Sequence, residues 1–129
     1  MKFKDAANEF CKLINVHPEE IQIVTNRMAG YLTKPDASEQ TIEVVKEFQA
    51  SKNQFEYYQL LSFIYQIIGK YEDAFRTVIE SNDKFKKDGT SIFVYGEETY
   101  RNRNFKQAAE ALNYLINNFR FVNNLLDDF

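Results

Sequence analysis

The single cysteine and the single histidine of the chain, Cys11 and His17, are the only pair that could act as a nucleophile and its base. A thiol enzyme needs the two side chains in contact and the thiol held as a thiolate. Cys11 follows the apolar positions of a predicted helix, which favours a buried structural cysteine. His17 precedes Pro18, at a predicted helix start. One cysteine and one histidine also make no zinc site.

Carboxylates are plentiful, but their spacing does not favour acid–base catalysis. They include the adjacent pairs Glu19–Glu20, Glu97–Glu98 and Asp127–Asp128. Neighbouring side chains on a helix point about 100° apart, so the members of a pair do not converge on one substrate atom. The four glycines are isolated, so there is no phosphate-binding loop. We therefore predict that the protein is not an enzyme and holds no cofactor or metal.

A basic cluster, Arg101, Arg103 and Lys106, has two interpretations. The cations could contact phosphate or an acidic partner peptide. Alternatively, they lie at the end of one helix and in the following turn, where positive charge complements the helix dipole. We favour the second interpretation. The net charge of −3 argues against nucleic acid as a partner, because a phosphate-binding domain is usually basic.

The composition is that of one helical domain. The chain has 129 residues, 44% of them apolar and 27% charged, with 4 glycines and 2 prolines. Its longest apolar run, residues 60–68, is far shorter than the ~20 residues that cross a membrane. The first residues lack the apolar core of a signal peptide, and one cysteine cannot form an internal disulfide. These features predict a cytoplasmic protein without membrane insertion.

Apolar residues recur at helical spacing and predict seven helices. The helices begin near residues 3, 18, 36, 53, 71, 91 and 105. The second is predicted to run to about residue 33 and the last to about residue 126. Asp36 with Glu39, and Asn53 with Glu56, have the spacing of capping boxes. Gly69 marks the end of the fourth helix.

Two helical hairpins repeat with a period of 34 residues. The pairs that match at this shift are Leu61 with Tyr95, Ser62 with Gly96, Tyr71 with Phe105, Ala74 with Ala108 and Val78 with Leu112. A repeat of this length is one supersecondary unit that stacks on its copies and forms extended surfaces. This period favours binding over catalysis.

The hairpin pattern resembles the tetratricopeptide repeat. The residues that carry the resemblance are Tyr58, Leu61, Ser62, Tyr65, Gly69, Tyr71, Ala74, Val78 and Ser81. Small residues at Ser62 and Ala74 let two helices approach closely, and Gly69 gives the turn its backbone freedom. The second copy departs from the pattern at Thr99 and Arg103. A third copy over 21–54 is degenerate.

The resemblance implies an all-α fold, a right-handed α-solenoid of about three hairpins in a single domain, residues 1–129. Its parts are an N-terminal capping helix (1–20), a degenerate repeat (21–54), two repeats (55–88 and 89–122) and a tail (123–129). The apolar residues of 119–126 either cover the last repeat or stay exposed for self-association.

In the family, first-helix residues on the concave face bind peptides. By register these are Gln59, Phe63, Gln66, Phe93, Glu97, Tyr100 and Arg101. The family's clamp for a terminal carboxylate uses Lys, Asn and Arg, and it is missing here, because those positions read Gln59, Leu60, Phe63 and Val94. An aromatic, amide-rich groove suits an apolar or amphipathic segment. The alternative is that Phe63 and Phe93 pack against neighbouring helices.

The sequence therefore predicts a protein-interaction module that binds another protein or peptide segment. It would serve as an adaptor or scaffold, or as a dedicated chaperone similar to those of type III secretion. The alternative from another class is a structural protein that self-associates through its terminal helices, for example as a homodimer. An enzyme based on Cys11 and an RNA-binding protein are the less favoured alternatives.

Overall fold

The computed structural model describes residues 2–119, and this part of the chain holds α-helices and no strand. The seven α-helices confirm the all-α prediction. Their bounds are α1 Phe3–Val16, α2 Ile21–Ala29, α3 Ala37–Lys52, α4 Phe55–Ile67, α5 Tyr71–Lys84, α6 Thr90–Arg101 and α7 Phe105–Asn118. A short 3₁₀ turn, Pro18–Glu20, precedes α2. The residues after Phe119, including the predicted end of the last helix and the tail, lie outside the described part.

The chain forms two compact units, one up to Thr77 and one from Val78 onward, so that α5 contributes to both. In the N-terminal unit, α1 packs against α3, and α4 packs against α2 and α3. The core of this unit contains the fully buried side chains Ile14, Val24, Met28, Leu32, Val45, Tyr57, Leu60 and Ile64. Each large apolar side chain contributes about 1.5–3 kcal/mol by leaving water.

Two buried hydrogen bonds join helices of the N-terminal unit. The Tyr57 hydroxyl on α4 donates to the Cys11 carbonyl on α1 over 2.8 Å. The Ser62 hydroxyl on α4 donates to the Ala74 carbonyl on α5 over 3.3 Å. Ser62 and Ala74 are both buried, which is the close approach that their small side chains predicted.

The C-terminal unit is built on the packing of α6 against α7. Its buried side chains on these helices are Ile92, Tyr95, Thr99, Ala111 and Leu115. Gly96 lets the two helices approach, because a Cβ atom there would lie 3.3 Å from the Ala111 Cβ. Before α6, the Gly89 N–H donates to the buried Asn82 Oδ1 over 2.7 Å, which ties the α5–α6 connection to α5.

The turn between α4 and α5 has the backbone form that its glycine predicted. Gly69 lies in the left-handed region with φ 78°. The Lys70 N–H donates back to the Tyr65 carbonyl over 2.8 Å, as in a helix end of the Schellman type.

The turn between α6 and α7 repeats this form 34 residues later. Arg103 stands where Gly69 stands in the first turn, with φ 62°. The Asn104 N–H donates to the Thr99 carbonyl over 2.8 Å, which matches the bond of the first turn. The 34-residue period of the sequence is therefore also present in the backbone conformation. The left-handed conformation costs arginine about 1–2 kcal/mol, whereas glycine adopts it freely.

The two predicted capping boxes are wrong. Asp36 and Asn53 have φ values of 64° and 50°, and neither side chain caps a helix. The residue that precedes α4 is Gln54, which makes no side-chain cap either. A capping side chain needs an extended backbone, whereas Asp and Asn are also the residues that best tolerate the left-handed region. Asp36 therefore forms part of the turn before α3, and Asn53 forms part of the turn after it.

Helix ends and exposure differ from the prediction in three further places. The helix after Pro18 ends at Ala29 rather than near residue 33. The last helix ends at Asn118, where Phe119 takes an extended backbone. Phe105 and Leu112 match Tyr71 and Val78 of the first hairpin, which are half-buried and buried, but are themselves 57% and 48% exposed. No helix within residues 2–119 follows α7, and about half of each of these two side chains stays in water.

Candidate functional site

The structure separates the environments of Cys11 and His17. Cys11 is fully buried in α1, and burial raises the pKa of its thiol from the ordinary 9.0 to about 12. His17 is exposed, and its Nδ1 lies 3.2 Å from the Glu19 Oε1. A thiol that stays protonated at neutral pH is a poor nucleophile. Within residues 2–119, no three His, Cys, Asp or Glu side chains are grouped to hold a metal ion.

We expect the buried thiol to affect stability at alkaline pH. The folded state keeps its proton up to about pH 12, whereas the unfolded chain loses it near 9.0. The unfolded state therefore binds fewer protons in this window, and the free energy of unfolding falls as the pH rises through it. We predict that Cys11→Ala flattens this fall between pH 9 and 10, as measured by urea denaturation at a series of pH values.

The matched control is Lys12→Ala, an exposed neighbour on the same helix. It should leave the pH slope unchanged. An equal slope in Cys11→Ala and in the wild type would contradict the buried-thiol account. Iodoacetamide gives a second check, because the folded protein should react far more slowly than the protein in urea at the same pH.

An open cleft of about 570 Å³ lies in the N-terminal unit. Its lining residues are Lys2, Lys4, Asp5, Glu39, Gln40 and Glu43. Lys4 Nζ lies 3.0 Å from the Glu43 Oε2, and both side chains are about half exposed. Because the lining carries both cations and carboxylates, and Lys4 is already paired with Glu43, the cleft does not select for a ligand of one charge.

The predicted groove residues divide between the two units. Gln59, Phe63 and Gln66 lie on α4 of the N-terminal unit, Gln59 exposed and the other two half-buried. The rest of α4 is mostly buried, so these residues form its outer edge. Phe63 is half-buried and therefore offers only part of its ring to a partner.

The other four predicted residues lie on the exposed side of α6. Phe93 and Tyr100 are 55% and 65% exposed, and Glu97 and Arg101 are also exposed. A spacing of seven residues places Phe93 and Tyr100 on the same flank of the helix, with Glu97 beside them. The opposite side of α6, which includes Ile92, is buried against α7.

Sequence reasoning missed Phe105 as a surface residue. Its ring lies 5.4 Å from that of Tyr100, at an interplanar angle of 65°, in an edge-to-face pair. Leu112 stands two helical turns along α7 from Phe105, on the same flank. The repeat matches Phe105 and Leu112 to Tyr71 and Val78, which are half-buried and buried in the first hairpin, and no signal in the pattern marks the last described repeat as more exposed.

Comparison with known proteins finds no matching family model, no similar curated protein and no similar solved structure. Among the described helices, none is both long and apolar enough to span a membrane. The candidate site therefore depends on geometry alone: an exposed aromatic flank on α6, extended onto α7 by Phe105.

Proposed function

We propose that the protein is an interaction module that binds an apolar or amphipathic segment of another protein. The principal contact residues are Phe93, Glu97, Tyr100 and Arg101 on α6. Gln59, Phe63 and Gln66 on α4 form a second candidate contact surface, which belongs to the N-terminal unit alone. The repeated hairpins and their resemblance to the tetratricopeptide repeat support this proposal, because such repeats act by presenting surfaces.

The observation that carries the proposal is the exposure of two aromatic rings on one helix flank. Phe93 and Tyr100 each leave more than half of the side chain in water, while neighbouring Ile92, Tyr95 and Thr99 are buried. Large aromatic side chains bury 150–250 Å² each when covered, so they are the usual energetic centres of protein interfaces. Glu97 and Arg101 would supply polar contacts around them.

Two roles fit such a surface. An adaptor or scaffold holds a segment of a stable partner, and a dedicated chaperone holds an apolar segment of a protein that is exported or assembled later. Neither role needs a catalytic group, and the buried, protonated Cys11 supports a role without catalysis.

The test is co-purification from the native cell at low salt, with identification of stoichiometric partners by mass spectrometry. We expect Phe93→Ala to weaken partner binding by about 2 kcal/mol, about 30-fold, if Phe93 is an interface hot spot. The matched control is Ile23→Ala, which truncates a similarly exposed apolar side chain on α2.

Circular dichroism should show both variants folded, because each side chain is about half exposed. Loss of the partner in Phe93→Ala and its retention in Ile23→Ala would support the proposal. Equal recovery of the partner with both variants would contradict the assignment to α6.

Self-association is the second candidate function, and the exposure of Phe105 and Leu112 on α7 favours it. Light scattering across a range of concentrations measures it directly. A homodimer that Leu112→Glu dissociates, with no co-purifying partner, would assign the protein to this structural class instead.

A further inference from the structure

The turn between α6 and α7 carries two exposed aromatic side chains whose rings contact each other. Tyr100 and Phe105 are each more than half exposed, and their rings meet edge to face at 5.4 Å. An edge-to-face pair leaves ring surface open to a third group. This pair therefore forms a small apolar platform at one end of the α6–α7 hairpin.

Three cations, Arg101, Arg103 and Lys106, lie in the same stretch of sequence as this platform, and no carboxylate occurs between Thr99 and Ala109. Arg101, Arg103 and Lys106 are all exposed, so this stretch has a charge of +3 in a chain whose net charge is −3. Across residues 2–119, no ion pair involves any of the three, whereas Lys4, Lys12 and Arg76 elsewhere in the chain do form ion pairs.

Carboxylates at helical spacing from these cations do not pair with them. Glu97 lies four residues before Arg101, and Glu110 lies four residues after Lys106, which are spacings that allow ion pairs on a helix. Neither pair is formed in the described structure. The cations thus keep their donors available to an incoming anionic group.

The helix dipole explains only part of this charge. Arg101 in the last turn of α6 and Arg103 just after it complement the dipole, but Lys106 lies in the first turn of α7, where the dipole disfavours it. Arg103 also occupies a left-handed position, with φ 62°, where the equivalent turn has Gly69. A strained residue at an exposed turn is a basis for a functional hypothesis.

We propose that this turn binds an acidic segment of the partner protein. An apolar side chain of the segment covers the Tyr100–Phe105 platform, and its carboxylates pair with Arg101, Arg103 and Lys106. The proposal rests on the proposed function and specifies its partner as anionic. Arginine and carboxylate groups can form paired hydrogen bonds, which suits a protein segment. The acidic net charge of the whole chain disfavours a long nucleic acid, which carries negative charge along its entire length.

The test uses the full chain and three fluorescent synthetic peptides. The first is rich in Phe, Leu and Glu, the second has every Glu replaced by Gln, and the third has every Glu replaced by Lys. We expect the Glu peptide to bind about tenfold or more tightly than the Gln peptide, and the Lys peptide to bind weakest. Raising the salt concentration should weaken the Glu peptide most.

Arg103→Gly is the decisive variant because its effects on folding and on binding are opposite in sign. Glycine relieves the left-handed strain, so the melting temperature should equal or exceed that of the wild type. Loss of one cation should weaken the Glu peptide by about fivefold and leave the Gln peptide unchanged. Lys46→Gln, which removes an exposed cation on α3, is the matched control and should change neither.

Several results would overturn the proposal. Equal affinity for the Glu and Gln peptides, with binding lost in Phe93→Ala, would refute the anionic partner and leave the proposed function in place. A single-stranded RNA oligonucleotide that binds more tightly than the Glu peptide would assign the cations to nucleic acid. A dimer that Tyr100→Ala dissociates would assign the platform to a second copy. Peptide binding that requires Asp127→Asn and Asp128→Asn in the full chain would assign the turn to the chain's own terminal residues.

Discussion

Replacing Tyr57 with alanine is expected to lower the free energy of unfolding by about 3–5 kcal/mol. Tyr57 is the largest fully buried side chain among residues 2–119. Its ring lies 5.7 Å from that of Phe48 on α3, and its hydroxyl donates to the Cys11 carbonyl on α1. Truncation therefore leaves a cavity at the meeting point of three helices. Urea denaturation followed by circular dichroism measures the loss.

Two companion variants divide this loss into its causes. Tyr57→Phe removes only the hydroxyl and should cost about 1 kcal/mol, the usual net value of one hydrogen bond. Tyr100→Ala truncates the same residue type at a position 65% exposed, and it should change stability by no more than about 0.5 kcal/mol. A Tyr57→Ala loss no greater than that of Tyr100→Ala would refute the role of Tyr57 in the core.

The second large effect is expected at Gly89. Gly89→Ala should cost about 2–3 kcal/mol, because two penalties add there. The backbone φ of 89° strains any side chain, and the new Cβ would lie 3.0 Å from the buried Leu115 Cδ2 and 3.3 Å from the Phe119 ring. Any shift of the backbone would also disturb the hydrogen bond that the Gly89 N–H donates to the Asn82 side chain.

Gly69→Ala separates the two penalties. Gly69 has a similar φ of 78°, but an added Cβ would meet nothing within 4 Å. Its cost should therefore be the backbone strain alone, about 1 kcal/mol. Equal losses for the two variants, measured by the same urea denaturation, would show that the contact with Leu115 and Phe119 does not restrict position 89.

The parts of the fold that the sequence predicted well depend on periodic burial. Ile92 and Tyr95 are buried because helical spacing and the repeat register both place them inward. Gly69 ends its helix in the left-handed region because few other residues do so without strain. At Ile92 and Tyr95 the pattern also succeeds because α7 packs against α6.

The parts that failed depend on competing local preferences or on missing neighbours. Asp36 and Asn53 are suited both to a helix cap and to a left-handed turn, and in the structure both adopt the left-handed conformation at a connection between helices. Phe105 has the residue type of a core position, but its exposure depends on whether another helix follows. Sequence spacing placed Phe93, Glu97, Tyr100 and Arg101 on one helix, and their exposure required the packing of α6 on α7.

The left-handed arginine of the α6–α7 turn has a consequence for evolution in the laboratory. Every arginine codon is one nucleotide away from a glycine codon, so the exchange that relieves the strain at Arg103 is always accessible by a single mutation. A selection for thermal resistance alone should recover Arg103→Gly early. A selection in which growth also requires partner binding should reject this exchange. The difference in the frequency of Arg103→Gly between the two selections would then measure how much Arg103 contributes to partner binding.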